Sequence, residues 1–145
     1  MRPTSPTILL IENDPQEVLR LVYAFARAGH TGPIESAADY GDAVAQLNGT
    51  GSYADHALFP TPGLVVLDLN LDRGSGFDVL HWVQTSDDLC GLPSVVLATS
   101  RQPQDLQRAY ALGAHDYRVK PAEMADLCAI VRDIEAYWVG LQPTA

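Results

Sequence analysis

Short runs of four or five apolar residues recur along this chain, separated by longer stretches in which apolar residues follow helical spacing. Runs of that length, rich in Val, Ile and Leu, are typical of strands buried on both faces of a parallel sheet. These runs predict strands over residues 7–11, 64–67 and 94–98, and the more mixed segments 33–37 and 116–119 are predicted as the second and fifth strands. The helical spacing predicts helices over residues 15–28, 38–47, 77–85, 104–112 and 123–139.

The alternation of strand and helix indicates an α/β chain whose parallel strands are joined by right-handed crossovers. We therefore predict a flavodoxin-like (βα)5 fold, a doubly wound parallel sheet with strand order 2-1-3-4-5 and an extended C-terminal helix. In this architecture ligands bind at the carboxyl ends of strands 1 and 3, where the strand order reverses. We predict one domain over residues 1–145, with a core from about 7 to 140.

Polar side chains follow the strands at that edge of the predicted sheet. Strand 1 runs into Glu12, Asn13 and Asp14, strand 3 ends at Asp68, and strand 5 ends at Lys120. Helix capping fully explains Asp14, a turn is the alternative explanation of Asp68, and an ordinary surface position is the alternative for Lys120. Capping does not explain Glu12. Clustered carboxylates suit Mg²⁺, and a cation on either side of Asp68 would stabilise phosphoryl transfer to its carboxylate.

Several short motifs occupy fixed places in this pattern. They are Glu12-Asn13-Asp14-Pro15, Leu67-Asp68-Leu69-Asn70, Gly76, Pro93-Ser94-Val95-Val96-Leu97, Leu112-Gly113-Ala114 and Tyr117-Arg118-Val119-Lys120-Pro121. Each is weak alone, but in combination the chain resembles the receiver domains of two-component response regulators over residues 7–140. The resemblance implies that Asp68 accepts a phosphoryl group from a histidine kinase and that Lys120 contacts the phosphate.

The resemblance also implies the other residues of the site. The metal ligands for Mg²⁺ are then Glu12, Asn13, Asp68 and the carbonyl of Asn70, with Asp14 as an additional candidate. The implied switch residues are Thr99 and Tyr117, and the Lys120–Pro121 peptide bond is implied to be cis, which proline tolerates.

Two positions depart from the pattern of this family. Asn13 stands where a second acidic residue usually ligates the metal, so weaker Mg²⁺ binding is expected unless Asp14 reaches the site. Counting through the motifs without gaps places Ala98 in the slot of the switch hydroxyl. Thr99 fills that slot only if the strand end shifts by one residue, which would reverse its side-chain direction.

Further segments indicate a resemblance to a smaller group within these receiver domains. They are Gly51-Ser52-Tyr53-Ala54-Asp55, Leu69-Asn70-Leu71, Ala98-Thr99-Ser100, Ala109-Tyr110-Ala111-Leu112-Gly113 and Tyr137-Trp138. They resemble small single-domain regulators that partner phytochrome-type histidine kinases, such as a bacteriophytochrome, and that dimerise through the aromatic pair of an extended last helix. Core packing is the alternative for most apolar residues of this helix, but Trp138 and Leu141 lie beyond the expected domain edge. We predict a homodimer interface of Tyr137, Trp138 and Leu141.

Charge and cysteine content indicate which classes of partner and which cellular compartment suit the chain. The net charge of −9 and the scattered basic residues argue against nucleic acid and an anionic membrane surface as partners. No apolar run approaches the ~20 residues of a membrane helix. The two cysteines lack metal-ligand spacing and suit a reducing cytoplasm.

Three hypotheses of different classes follow. The first is a stand-alone response regulator of a phosphorelay, not an enzyme, that signals through protein contacts. The second is a pseudo-receiver, a constitutive interaction module with impaired phosphorylation, which Asn13 and Ala98 favour. The third is a small phosphatase or phosphotransferase with an aspartyl nucleophile, which is disfavoured because such enzymes generally take that nucleophile from the first strand. Phosphate uptake by Asp68 separates the first hypothesis from the second.

Overall fold

The computed structural model describes residues 6–51, 54–55, 61–71 and 73–139. Strands and helices alternate within them: β1 (Ile8–Ile11), α1 (Pro15–Arg27), β2 (Ile34–Ala37), α2 (Tyr40–Asn48), β3 (Leu64–Leu67), α3 (Gly76–Thr85), β4 (Ser94–Ala98), α4 (Pro103–Ala111), β5 (Asp116–Val119) and α5 (Met124–Ile134). The strands form one parallel sheet in the order β2-β1-β3-β4-β5, so the predicted fold class and strand order are confirmed. In the described part of the chain, no helix has both the length and the apolar character needed to cross a bilayer.

Alternate side chains of the strands pack into two cores on opposite faces of the sheet. The core shared with α2, α3 and α4 contains Leu9, Ile11, Val65, Leu67, Val96 and Ala98. The core shared with α1 and α5 contains Ile8, Leu10, Leu64, Val66, Val95 and Leu97. Burial on both faces is why each of these strands is a continuous apolar run rather than an alternating one.

Side-chain caps mark where α1 and α2 begin. Asp14 precedes α1, and its Oδ1 accepts a hydrogen bond from the Gln16 N–H at 2.9 Å. Asp39 caps α2 in the same way, accepting from the Asp42 N–H at 2.8 Å. Because Asp39 occupies the extended cap position, α2 begins at Tyr40, later than the predicted start at residue 38.

In the loop between β3 and α3, the backbone at Gly76 lies close against the backbone of Asp68 and Leu69. The N–H of Gly76 donates to the carbonyl of Leu69 at 3.0 Å. A Cβ atom at Gly76 would collide with the carbonyl oxygen of Asp68. The loop that follows Asp68 therefore needs glycine at this position, because only glycine permits so close an approach of two backbones.

The last helix extends through Val139, but its final turn is not α-helical. α5 ends at Ile134, and Glu135–Val139 form a π-helical turn. At the junction, Nδ1 of the buried His30 ring lies 3.1 Å from both carboxylate oxygens of Glu135. The predicted extended C-terminal helix is confirmed in its extent. Its hydrogen-bonding pattern differs because apolar spacing does not distinguish an α turn from a single π turn.

Candidate functional site

The carboxyl ends of β1, β3 and β5 bring three of the predicted site residues together. Asp68 follows β3, and its N–H donates to the carbonyl of Ile11 at 2.9 Å. Lys120 follows β5, and its N–H donates to the carbonyl of Ala98 at 2.7 Å. Glu12 follows β1 and continues the pairing with β2 in the same way. The sheet is thus extended by one residue past these strands, and the three side chains meet at one edge.

An ammonium group lies between the carboxylates at this edge. Nζ of Lys120 is 2.8 Å from Oε2 of Glu12 and 3.2 Å from Oδ2 of Asp68. The side chains of Lys120, Glu12 and Asp68 are only 5%, 4% and 11% exposed. Lys120 is the only lysine in the chain. Because little water screens these charges, their attraction is stronger than that of a surface ion pair.

Burial and mutual contact shift the proton affinities of this cluster. Burial raises the pKa of Glu12, and the contacts with Lys120 offset only part of that rise. Burial alone would lower the pKa of Lys120, but the hydrogen bond to Glu12 and the charge of Asp68 outweigh it and raise that pKa. Lys120 is therefore a cation at neutral pH, held against the carboxylate of Asp68.

The carboxylate of Asp68 lies beside a positive charge and a backbone donor. Its Oδ2 faces Lys120, and its Oδ1 accepts a hydrogen bond from the Asn70 N–H at 3.3 Å. Negative charge on a group transferred to Asp68 would meet the ammonium without any rearrangement of the sheet. Preorganised charge of this kind is the usual way in which proteins stabilise anionic transition states.

The same edge supplies hard oxygen ligands for a cation. Glu12 and Asp68 carry carboxylates, the half-buried Asn13 follows Glu12 directly, and the exposed Asn70 follows shortly after Asp68. This donor set fits Mg²⁺, which takes oxygen ligands and keeps several waters. The Asp14 carboxylate caps α1 instead. Within the described ranges no group of three or more His, Cys, Asp or Glu side chains is placed to hold a metal.

β4 ends on a residue without a hydroxyl group. Ala98 is buried there and pairs with Val119 of β5, whereas Thr99 lies beyond the strand and is exposed. Tyr117 is buried, and its hydroxyl donates to the carbonyl of Ser100 at 2.8 Å. The structure thus keeps the gap-free register that puts Ala98 at the strand end. The switch roles of Thr99 and Tyr117 stay predictions.

The peptide bond between Lys120 and Pro121 is trans, since the described residues contain no cis peptide bond. The expectation of a cis bond is therefore wrong. The trans form is the intrinsically favoured one, by about 0.5–1 kcal/mol before proline. Arg20 of α1 contacts this segment, because its Nη2 donates to the carbonyl of Pro121 at 3.3 Å and to that of Ala122 at 2.9 Å.

Comparison with known proteins decides the family. The family model described as the response regulator receiver domain matches residues 8–132. The chain belongs to this family. The probable methanogenesis regulatory protein FilR2 of Methanothrix harundinacea is 36% identical over 133 residues, which cover 92% of this chain and 83% of that protein. The response regulator Rcp1 of Synechocystis is 36% identical over 97 residues, which cover 67% of this chain and 64% of that protein.

Solved structures of phytochrome response regulators share the fold of this receiver domain. The phosphorylated cyanobacterial phytochrome response regulator RcpA has a TM-score of 0.88 and 29% identity, covering 97% of this chain and 98% of that one. The Mn²⁺-bound form of Rcp1 has a TM-score of 0.84 and 28% identity, covering 97% of this chain and 99% of that one. Receiver domains generally bind Mg²⁺, in agreement with the oxygen ligands at the edge of this sheet.

The C-terminal aromatic residues of this receiver domain divide between core and surface. Trp138 is half-buried, and its ring lies edge-on to His115 with centroids 5.5 Å apart. Tyr137 packs edge-on against Trp138 at 4.7 Å and is itself 61% exposed. Leu141 lies outside the described residues. The exposed aromatic surface is thus at Tyr137, while Trp138 is largely used by the domain's own packing.

Sequence reasoning missed two residues of α1 that reach the receiver site. Oε2 of Glu17 lies 3.6 Å from Nζ of Lys120. Nη1 of Arg20 donates to Oε1 of Glu17 at 3.0 Å. The sequence signal for this contact is the three-residue spacing of Glu17 and Arg20 in a predicted helix. That spacing is common on solvent-facing helices, so it does not indicate a site.

Proposed function

We propose that this protein is a response regulator of a two-component phosphorelay, which accepts a phosphoryl group on Asp68 from a histidine kinase and signals through protein contacts. The observation that carries the proposal is the 3.2 Å contact between Nζ of Lys120 and Oδ2 of Asp68 at the carboxyl edge of the sheet. A buried ion pair is weak evidence for a stabilising role, because desolvating both charges offsets their attraction. The pair suits a carboxylate that gains negative charge during a reaction.

In the proposed transfer, a carboxylate oxygen of Asp68 attacks the phosphorus of a phosphohistidine. The new O–P bond forms as the N–P bond breaks, and the imidazole leaves with the electron pair of that bond. Lys120 neutralises charge on the phosphoryl oxygens, and Glu12 keeps the ammonium aligned from the other side. A bound Mg²⁺ would supply further positive charge to those oxygens, with Glu12, Asn13, Asp68 and the carbonyl of Asn70 as its ligands.

The relatives support a kinase of the phytochrome type. RcpA is a phytochrome response regulator by its description, and it matches the fold over 97% of this chain. We therefore take a bacteriophytochrome as the specific candidate for the histidine kinase. The net charge of −9 disfavours nucleic acid and an anionic membrane surface as partners. The proposed role is cytoplasmic and involves no enzymatic output.

The proposal includes a homodimer whose interface contains Tyr137, Trp138 and Leu141. Tyr137 is 61% exposed and packs edge-on against the half-buried Trp138, so it presents an aromatic ring at the surface. A two-fold axis would bury such a ring once in each subunit. Large aromatic side chains are among the residues that contribute most to interfaces.

A pseudo-receiver is the alternative function. Asn13 carries no charge where a second carboxylate would strengthen cation binding, and the buried Ala98 offers no hydroxyl at the end of β4. Both features favour an interaction module with impaired phosphorylation. The contact between Asp68 and Lys120 favours the phosphoaccepting regulator, which we rank first.

Incubation with acetyl phosphate and Mg²⁺, followed by intact-mass measurement, tests the two functions against each other. The wild-type protein should gain one phosphoryl group, and Asp68→Asn should gain none. Asp126→Asn, which alters an exposed carboxylate on α5, is the matched control and should behave as the wild type. Uptake that persists in Asp68→Asn would reject the assignment of the acceptor. No uptake by the wild type would favour the pseudo-receiver.

A further inference from the structure

α1 holds Lys120 from two directions. Nη2 of Arg20 donates to the carbonyls of Pro121 and Ala122, at 3.3 and 2.9 Å, directly after Lys120. Nη1 of the same guanidinium donates to both carboxylate oxygens of Glu17, at 3.0 and 3.2 Å. Glu17 in turn lies 3.6 Å from the Lys120 ammonium. One arginine thus connects the backbone that follows Lys120 with a carboxylate that faces its charged end.

We propose that Glu17 and Arg20 are positioning residues that set how readily Lys120 leaves its carboxylate partners to contact a phosphoryl group on Asp68. This inference rests on the proposed function of Asp68. Glu12 and Asp68 hold the ammonium through hydrogen bonds. Glu17 lies beyond hydrogen-bond distance, so its hold on Lys120 is electrostatic only. Phosphoryl oxygens on Asp68 would attract the same ammonium, and Glu17 competes with them.

The two charges of this pair act on the site in opposite senses. Without the charge of Glu17, Lys120 has one competitor fewer, and the site is less negative toward an anionic phosphodonor. Without Arg20, the charge of Glu17 is uncompensated and the backbone after Lys120 loses its two hydrogen bonds. The side chains of Arg20 and Glu17 are 26% and 22% exposed, so water screens these effects only in part. Opposite effects on the phosphorylation rate follow, whereas a pair that merely supported the fold would slow phosphorylation in both variants.

The hold on Lys120 is measurable without any phosphorylation. Because Lys120 is the only lysine, its ammonium gives a single NMR signal in protein that contains isotope-labelled lysine. We expect the ammonium protons to exchange with water roughly threefold faster in Glu17→Gln than in the wild type, and more slowly in Arg20→Gln, because the uncompensated Glu17 attracts the ammonium more strongly. Glu35→Gln removes a half-buried carboxylate on β2, away from Lys120, and is the control for overall charge. Exchange in both variants at the rate of Glu35→Gln would overturn the proposal.

The second measurement is the rate of phosphate uptake from acetyl phosphate at saturating Mg²⁺. Glu17→Gln should be faster than the wild type and Arg20→Gln slower, each by roughly threefold, with both differences shrinking as salt is added. Rates that fall in both variants, or that stay unchanged in both, would contradict the positioning role. Arg20→Lys replaces Arg20→Gln if the latter does not fold, because lysine keeps the charge but cannot contact all three partners. A wild type that takes up no phosphate would reject the proposed function of Asp68, and the exchange measurement would still decide the hold on Lys120.

Discussion

Replacing Lys120 by methionine removes the ammonium from a cluster of buried carboxylates and keeps an unbranched side chain of similar length. Glu12 and Asp68 are then left facing each other at the edge of the sheet, with side chains that are 4% and 11% exposed. We expect Lys120→Met to lower the free energy of unfolding, because two carboxylates lose the cation that compensates them.

The size of this effect follows from the two hydrogen-bonded contacts of Lys120. At 2.8 and 3.2 Å, an effective dielectric constant of about 20 gives gross attractions of about 6 and 5 kcal/mol. The variant no longer has to desolvate an ammonium on folding, which offsets several kcal/mol of that loss. Breaking a buried ion pair by removing one partner commonly costs about 3–5 kcal/mol. We therefore expect a loss of about 3 kcal/mol at neutral pH.

The loss should depend on pH in a defined direction. Burial already raises the pKa of Glu12, and removal of the neighbouring ammonium raises it further. A carboxyl group with a higher pKa in the folded than in the unfolded chain destabilises the folded protein as pH rises through the folded value. The deficit of Lys120→Met should thus be larger at neutral pH and shrink as pH falls toward about 4.3, the value of an unperturbed glutamate.

Urea denaturation in the presence of EDTA, which keeps divalent cations away, measures this deficit between about pH 4.5 and pH 8. Arg101→Met removes an exposed positive charge from the segment between β4 and α4 and is the control for net charge. The reasoning is refuted if Lys120→Met is as stable as Arg101→Met at neutral pH. It is also refuted if the deficit stays constant over the whole range, because uncompensated carboxylates must respond to protonation.

Three further substitutions test other parts of the molecule. Asn13→Asp should tighten Mg²⁺ binding by adding a carboxylate at the sheet edge; a titration with unchanged or weaker affinity would contradict this. Gly76→Ala should lower the free energy of unfolding by about 2 kcal/mol or more, because its Cβ would collide with the Asp68 carbonyl; urea denaturation with an unchanged midpoint would argue against that contact. Tyr137→Ala should shift a homodimer toward monomer without loss of stability, whereas Trp138→Ala should also destabilise the fold, by about 2 kcal/mol or more. Sedimentation equilibrium measures the shift toward monomer, and urea denaturation measures the loss of stability. A wild-type protein that is monomeric at tens of micromolar would refute the predicted homodimer.

The apolar runs by themselves determined the sheet and the edge where the site lies. The runs that end before Glu12 and Asp68 are long enough and apolar enough to be strands buried on both faces, whereas Lys120 follows the mixed segment Asp116–Val119. Parallel strands with helical crossovers then leave one common edge for the residues that follow them. For that reason the cluster of these three side chains was predictable from the sequence. Counting through the motifs also predicted that β4 ends on Ala98, a residue without a hydroxyl group.

Only the tertiary structure decided how that cluster is held and which aromatic side chain is exposed. Arg20 meets the carbonyl of Ala122 across 102 positions of the chain, and nothing in the local pattern of α1 marks that contact. The edge-on contact between His115 and Trp138 likewise joins two distant segments and places Trp138 partly in the core. Apolar periodicity reports which face of an element is buried. It carries no information about which partner a polar or aromatic side chain meets once the elements have packed.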